Sequence, residues 1–161
     1  MPKISKLSYK WRIRKGEKLS GVVRHEVKYI DFLVDNKSIK DSLDQKNDNV
    51  GRLGHGCFGD DNRIIDKHFI KFIPDLKSGR ILLYLCPECG DVDCGAITFK
   101  LETDKYIIWK DFGFEVTYYN DNKKERVNFY DKKVKFYFDK DDYIKFFKNL
   151  EKYLKEYYDK N

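Results

Sequence analysis

Cys86, Cys89 and Cys94 fall within nine residues, in the run CPECGDVDCG, and that run is set between two apolar segments. Arg80-ILLYLC ends at Cys86, and beyond the cysteines Ile97, Phe99 and Leu101 alternate with Thr98, Lys100 and Glu102. A proline that cannot donate a backbone bond and closely spaced glycines favour a tight turn. The expectation is a hairpin of strand, short cysteine loop and strand, with the first strand buried.

Period-two patterning continues on both sides. Leu7, Tyr9, Trp11 and Ile13 alternate with Ser8, Lys10, Arg12 and Arg14, the pattern of a half-buried strand. Gly16 and Gly21 flank a short connection to a β-rich run, Val22 to Val34, which could pair with the first strand. From Ser38 to Asp61 the chain is polar and carries Gly51, Gly54, Gly56 and Gly59, so this stretch reads as an irregular loop and a candidate contact surface. Phe69 to Ile73 is a short apolar segment. Tyr106–Trp109, Gly113–Tyr119, Arg126–Tyr130 and Val134–Phe138 read as short strands of a meander, separated by Asp, Asn and Lys turns. At the end, Asp139 or Asp141 caps a helix whose Tyr143, Phe147, Leu150, Leu154 and Tyr157 fall at three- and four-residue spacing. The fold class expected is α+β, an antiparallel β-sheet meander with a C-terminal helix packed on it.

The 161 residues suffice for one domain, 1–161, with a real core. Hydrophobic residues at 41% outweigh the disordering tendency of 37% charged residues. The basic N-terminus lacks the apolar run of a secretory signal, and the longest apolar stretch, Ile81 to Cys86, is far too short to span a bilayer, so a cytoplasmic protein with no membrane partner is expected. In a reducing compartment cysteines serve as thiols or metal ligands rather than structural disulfides. The net charge of +6 is uneven: Lys3 to Lys28 holds nine Lys or Arg against two Glu, whereas Asp31 to Asp66 is acidic. The basic segment suits an acidic protein surface or a phosphate backbone, and it equally suits a solvated sheet face.

The cysteines admit three chemistries. Two thiolates in a CxxC turn can meet one zinc ion, with Cys94 as third ligand and Cys57 or His55, from Gly54-His55-Gly56-Cys57, as fourth. The candidate metal set is thus Cys57, Cys86, Cys89 and Cys94. Alternatively the Pro and Gly shape a turn in which the cysteines pack as small hydrophobes. Thirdly, CPEC has dithiol spacing, but the run Gly90-DVD-Asp93 after Cys89 is not a helix start that would stabilise a thiolate at Cys86. The histidines His25, His55 and His68 read as surface or packing residues, with His25 inside a strand. Asp60-Asp61, Asp91 with Asp93, and Asp141-Asp142 read as caps or solvated charges. GRLGHGCFG lacks the Lys-Ser or Lys-Thr of a phosphate loop, and no catalytic residue is assigned.

The stretches GRILLYLCPECGDVDCGAITFKL (79–101) and IWKDFGFE (108–115) resemble a group of small, uncharacterised bacterial proteins with a CxECGDxxCGA motif and a W[KR]DFG motif. Cys86, Cys89, Gly90, Asp91, Cys94 and Gly95 match, as do Trp109, Asp111, Phe112 and Gly113; Cys57 lies outside the match. Some members carry an oxidoreductase label, and proteins of this style occur as immunity partners of bacterial toxins. The resemblance implies a cytoplasmic binding protein that occludes a toxin domain. A zinc-stabilised nucleic-acid-binding or regulatory module and a thiol oxidoreductase are the alternatives. Without any ligand, Trp109 and Phe112 could cover the hairpin while Asp91 or Asp111 accepts amide bonds in the cysteine turn.

Overall fold

Leu7–Arg14 forms the expected strand, β1, and pairs antiparallel with β4 (Val27–Val34) from Leu7↔Val34 to Arg14↔Val27. The computed structural model describes residues 2–54, 59–88, 92–116 and 126–160. The run from Val22 to Val34 is two strands rather than one. β2 (Glu17–Leu19) and β3 (Val22–Arg24) form their own hairpin, turning at Ser20 and Gly21 with φ of 47° and 82°. His25, expected inside a strand, is an exposed residue of the link between β3 and β4. A second left-handed pair, Asp35 and Asn36, turns β4 into the short β5 (Lys37–Ser38), the two-residue geometry that suits the right-handed twist of paired strands.

The segment from Ser38 to Asp61 is more ordered than its glycines suggest. The Ser38 hydroxyl accepts the Asp41 amide and starts α1 (Ile39–Leu43). Val50–Gly51 is β6, and Asp60 caps α2 (Asp61–Ile64) by accepting the amides of Asn62 and Arg63. α2 continues as a π-helical turn, Ile65–Ile70, ending beside Phe72, whose φ is 60°. Phe69 and Ile70 of the short apolar segment Phe69 to Ile73 are the last residues of this helical unit.

The second sheet runs β10-β9-β8-β7-β6, from β7 (Ile81–Leu85), β8 (Ala96–Thr103), β9 (Ile107–Val116) and β10 (Arg126–Phe129); β11 (Phe136–Phe138) shares the β10 edge of β9. The hairpin expected around the cysteine loop is β7–β8. The two short strands expected between Tyr106 and Tyr119 are one, β9, over its described length; 117–119 lie outside the described residues. Between Thr98↔Gly113 and Lys100↔Lys110 the pairing shifts, so Asp111 and Phe112 oppose Phe99 alone. Asp111 takes φ of 52° in this bulge, a conformation that aspartate tolerates better than bulky residues do.

α3 (Lys140–Lys160) starts at Asp139, whose carboxylate accepts the Asp142 amide, and buries Tyr143, Phe147, Leu150 and Leu154. Phe147 stacks on Phe69 at 4.9 Å, and Trp109 lies 4.4 Å from Phe99 with both rings fully buried. One hydrophobic cluster joins residues from Ile30 to Leu154 across both sheets and the helix. Truncating a ring such as Trp109 in so dense a core costs about 3–5 kcal/mol. Outside the cluster's centre, Tyr9 and Trp11 lie partly buried against it, and the Trp11 indole donates to the Tyr153 hydroxyl at 2.8 Å. The architecture is α+β. Among the described residues no helix is long and apolar enough to cross a membrane.

Candidate functional site

Cys86 follows the last residue of β7 and is half-buried, whereas Cys94 ends the 3-10 turn Val92–Cys94 and is exposed. Cys89 and Asp91 of the same loop, and His55 and Cys57, lie outside the described residues. Among the described residues no three His, Cys, Asp or Glu side chains converge on a point that would hold a metal ion.

The loop's exit is tightly specified. Gly95 has φ of 93°, and a Cβ there would lie 2.1 Å from the Phe114 ring. Its amide donates to the Val92 carbonyl, and its own carbonyl accepts the Asn49 side-chain amide at 3.1 Å. On the entry side Arg14, at the end of β1, donates to Glu88 of the loop and to Asp48, each at 2.9 Å. Burial alone would lower the Arg14 pKa, but hydrogen bonds from the guanidinium to Asp48 and Glu88 outweigh it and raise it. Cys86, Pro87 and Glu88 line a groove of about 410 Å³ together with Val23, Arg24 and Asn49.

The second motif acts through the bulge in β9. Arg80 donates to the Thr98 hydroxyl at 2.8 Å, to the Thr98 carbonyl at 3.0 Å and to the Asp111 carbonyl at 2.5 Å, and Thr98 in turn donates to Glu115. Glu115 is fully buried and lies 3.3 Å from the Arg80 guanidinium. Burial lowers the Arg80 pKa against the opposing charges of Glu115 and Asp111. Trp109 and Phe112 both pack on Phe99 of β8, as the covering role anticipated from the motif requires. Asp111 serves the bulge through its backbone, and a Cβ on Gly113 would lie 2.4 Å from Val127.

Two further polar clusters were not assigned from the sequence. Asp31, fully buried on β4, accepts the Tyr84 hydroxyl at 2.5 Å, the Ser38 hydroxyl at 2.6 Å and the Arg12 guanidinium at 2.9 Å. Arg12 also reaches Asp41 at 3.0 Å, and the Lys40 amide donates to the Tyr84 oxygen. Burial depresses the Lys40 ammonium pKa and pushes the Tyr84 phenol well above its usual value. The signal available was a single carboxylate inside the apolar run YIDFLV. In the second cluster Arg52 grips Asp75 with two bonds, at 2.8 and 3.0 Å, while His68 Nε2 lies 3.0 Å from the same carboxylate. The other ring nitrogen, Nδ1, faces the Ile73 carbonyl at 2.6 Å. His68 is thus a buried packing residue, as expected.

The basic residues divide into two kinds. Arg12 and Arg14 are consumed by carboxylates of the chain itself, whereas Lys10, Lys15, Lys18 and Arg24 are exposed and have no ion-pair partner among the described residues. No family model matches the chain, no curated protein matches it, and no solved structure matches it.

Proposed function

We propose that the chain is a non-enzymatic binding protein that neutralises a bacterial toxin by covering its active surface. The observation that carries this reading is that Lys10, Lys15, Lys18 and Arg24, on and beside the β1–β4 pair, are exposed and have no ion-pair partner among the described residues. Charges left without intramolecular partners steer association with an opposite surface and set its register at little cost to the fold. Asp31, Asp75, Glu115 and His68, by contrast, are committed to buried bonds that tie elements together. Gly95 of the first motif and Trp109, Phe112 and Gly113 of the second have packing roles in the β7–β8 hairpin and the β9 bulge, which supports this reading. The test is recovery of the tagged protein from its host with mass spectrometry of stoichiometric partners. A single polypeptide released by Lys10→Glu with Arg24→Glu supports neutralisation; recovery of nucleic acid alone overturns it.

The position of Cys86 and Cys94 at the two ends of the β7–β8 loop favours one second reading, a zinc-stabilised module. Thiolates are the donors zinc prefers, and Cys86, Cys89, Cys94 and Cys57 would hold the ion, closing the loop and offsetting half of the ligand charge. About one zinc per chain, with loss of stability on chelation, would establish it; a metal-free protein with unchanged melting would exclude it.

A further inference from the structure

We infer that the outer edge of β1 accepts an extended, acidic segment of a partner protein by strand addition. This deepens the binding-protein reading and rests on it.

Among the described residues the sheet order β1-β4-β5 leaves β1 with a strand on one side only. The direction of its amides is set by two bonds at its start. The Asp35 amide donates to the Lys6 carbonyl, so the even-numbered residues exchange bonds with β4. The Ser5 amide points the other way and donates to the Tyr137 carbonyl, in a parallel bridge between Ile4 and Tyr137. By alternation the N–H and C=O groups of Leu7, Tyr9, Trp11 and Ile13 face outward along the same edge. β11 therefore begins to occupy this edge and then abandons it, since the chain turns into α3 just after Phe138. Where the two part, a cleft of about 290 Å³ opens between Lys6, Leu7, Phe138 and Tyr143, with Asp139 and Asp142 also lining it, so the acidic residues of an occupant belong toward the Lys10 end of the strand. An incoming strand would continue the bonding that β11 starts.

A free edge of this length, with no proline, is the template that proteins usually blunt. Here the choice of occupant is set by charge. Lys10 lies on the strand itself, exposed and without an ion-pair partner among the described residues, and Lys15, Lys18 and Arg24 lie just past its end. A second copy of the chain is a poor occupant. Antiparallel pairing of β1 with itself keeps like-numbered parities opposite one another, which gathers Lys6, Lys10, Arg12 and Arg14 of both copies on one face. Like charges directly across a ladder are destabilising. A segment with Asp or Glu at alternate positions instead pairs with Lys10 and meets the cations beyond Ile13. The opposite face of the new strand would extend the apolar surface begun by Tyr9 and Trp11, which pack on Tyr153 and Tyr157.

The test uses the full chain, ¹⁵N-labelled, and an acetylated and amidated seven-residue peptide alternating glutamate with valine. Two controls accompany it: the same peptide with glutamine for glutamate, and the glutamate peptide N-methylated at alternate amides. The expected result is saturable binding that slows hydrogen exchange at Leu7, Tyr9, Trp11 and Ile13 and leaves Ser8, Lys10 and Arg12 unchanged. Lys10→Glu should weaken binding about tenfold, the effect of one charge contact. Ile13→Pro removes an outward amide without touching the bonds to β4, so it should weaken binding in a protein that remains folded. The inference is overturned if the N-methylated peptide binds equally well, if the four odd-numbered amides gain no protection, or if an oligonucleotide, but not the peptide, binds this edge. A co-purified toxin that binds both variants with undiminished affinity also overturns it, while leaving the neutraliser reading intact.

Discussion

The Tyr84 hydroxyl of β7 donates to the Asp31 carboxylate of β4 across 2.5 Å, a buried side-chain hydrogen bond between the two sheets. Three further elements join it: Ser38 of β5, Arg12 on β1, and α1, whose Lys40 amide donates to Tyr84 and whose Asp41 pairs with Arg12. A carboxylate so placed is tolerated only because each of its oxygens is occupied.

Removing either member should therefore be costly in different ways. Tyr84→Phe leaves Asp31 short of a donor and the Lys40 amide short of an acceptor, an expected loss of about 1–3 kcal/mol. Asp31→Ala strands the Tyr84 and Ser38 hydroxyls and leaves Arg12 with Asp41 alone, an expected cost of about 3 kcal/mol. Urea unfolding of both single variants and the double would show a total well below the sum; simple additivity would contradict the shared network.

Alkaline pH offers a second test. Burial pushes the Tyr29 phenol up to about 12 and raises Tyr84 and Tyr143 as well. In the unfolded chain these groups ionise near their ordinary value of 10.0, so between that pH and the folded values the unfolded state binds fewer protons. Their stabilising contribution is complete below pH 10 and declines as pH rises through the window above it, by up to about 1.4 kcal/mol per pH unit for each phenol. Urea midpoints should fall steeply above pH 10, with tyrosinate absorbance appearing together with unfolding. Ionisation of these rings at pH 10 in a still-folded protein would refute it.

At Gly51 the two sheets approach more closely than any side chain allows. A Cβ there would lie 2.1 Å from the Ile30 carbonyl oxygen, a backbone atom that cannot swing aside. Gly51→Ala should separate β6 from β4 and cost more than about 2 kcal/mol, whereas Gly79→Ala, with open space around it, should lose only the smaller penalty of its φ of 80°. Thermal melting of the pair decides the order.

His68 closes the turn containing the left-handed Phe72. Its Nδ1 bonds the Ile73 carbonyl and its Nε2 faces Asp75. His68→Ala should cost about 1–3 kcal/mol and speed hydrogen exchange first in the π-helical turn Ile65–Ile70. Uniform loss of protection across the chain would mean that the turn has no separate identity.

The elements read correctly from sequence are those whose period is written locally. β1 alternates, α3 repeats at three and four residues, and the β7–β8 hairpin is bracketed by turn chemistry. Ile64, Ile65 and Phe69 are buried at ordinary helical spacing, but the stripe is completed by the polar Asp61 and His68, so its apolar residues alone are too few to mark a helix. β6 is two residues long and exists through its pairing with Leu85 and Tyr84, a relationship across thirty-odd positions that no local window contains. Likewise Asp31 is conspicuous in its apolar run, but its partner Tyr84 lies 53 residues away. The cysteine loop is conspicuous for a similar reason, and its described residues account for Gly95 by contact with Phe114.

The indole of Trp11 and the hydroxyl of Tyr153 that it bonds are separated by 142 positions. During synthesis the β1–β4 ribbon leaves the ribosome with its aromatic face bare, and an isolated two-stranded ribbon is marginal at best in water. At translation rates of roughly 5–20 residues per second, roughly 7–30 seconds pass before Tyr153 can cover Trp11. The aromatic face of β1 that α3 covers in the finished protein is thus left to water until the last helix of the described residues is made.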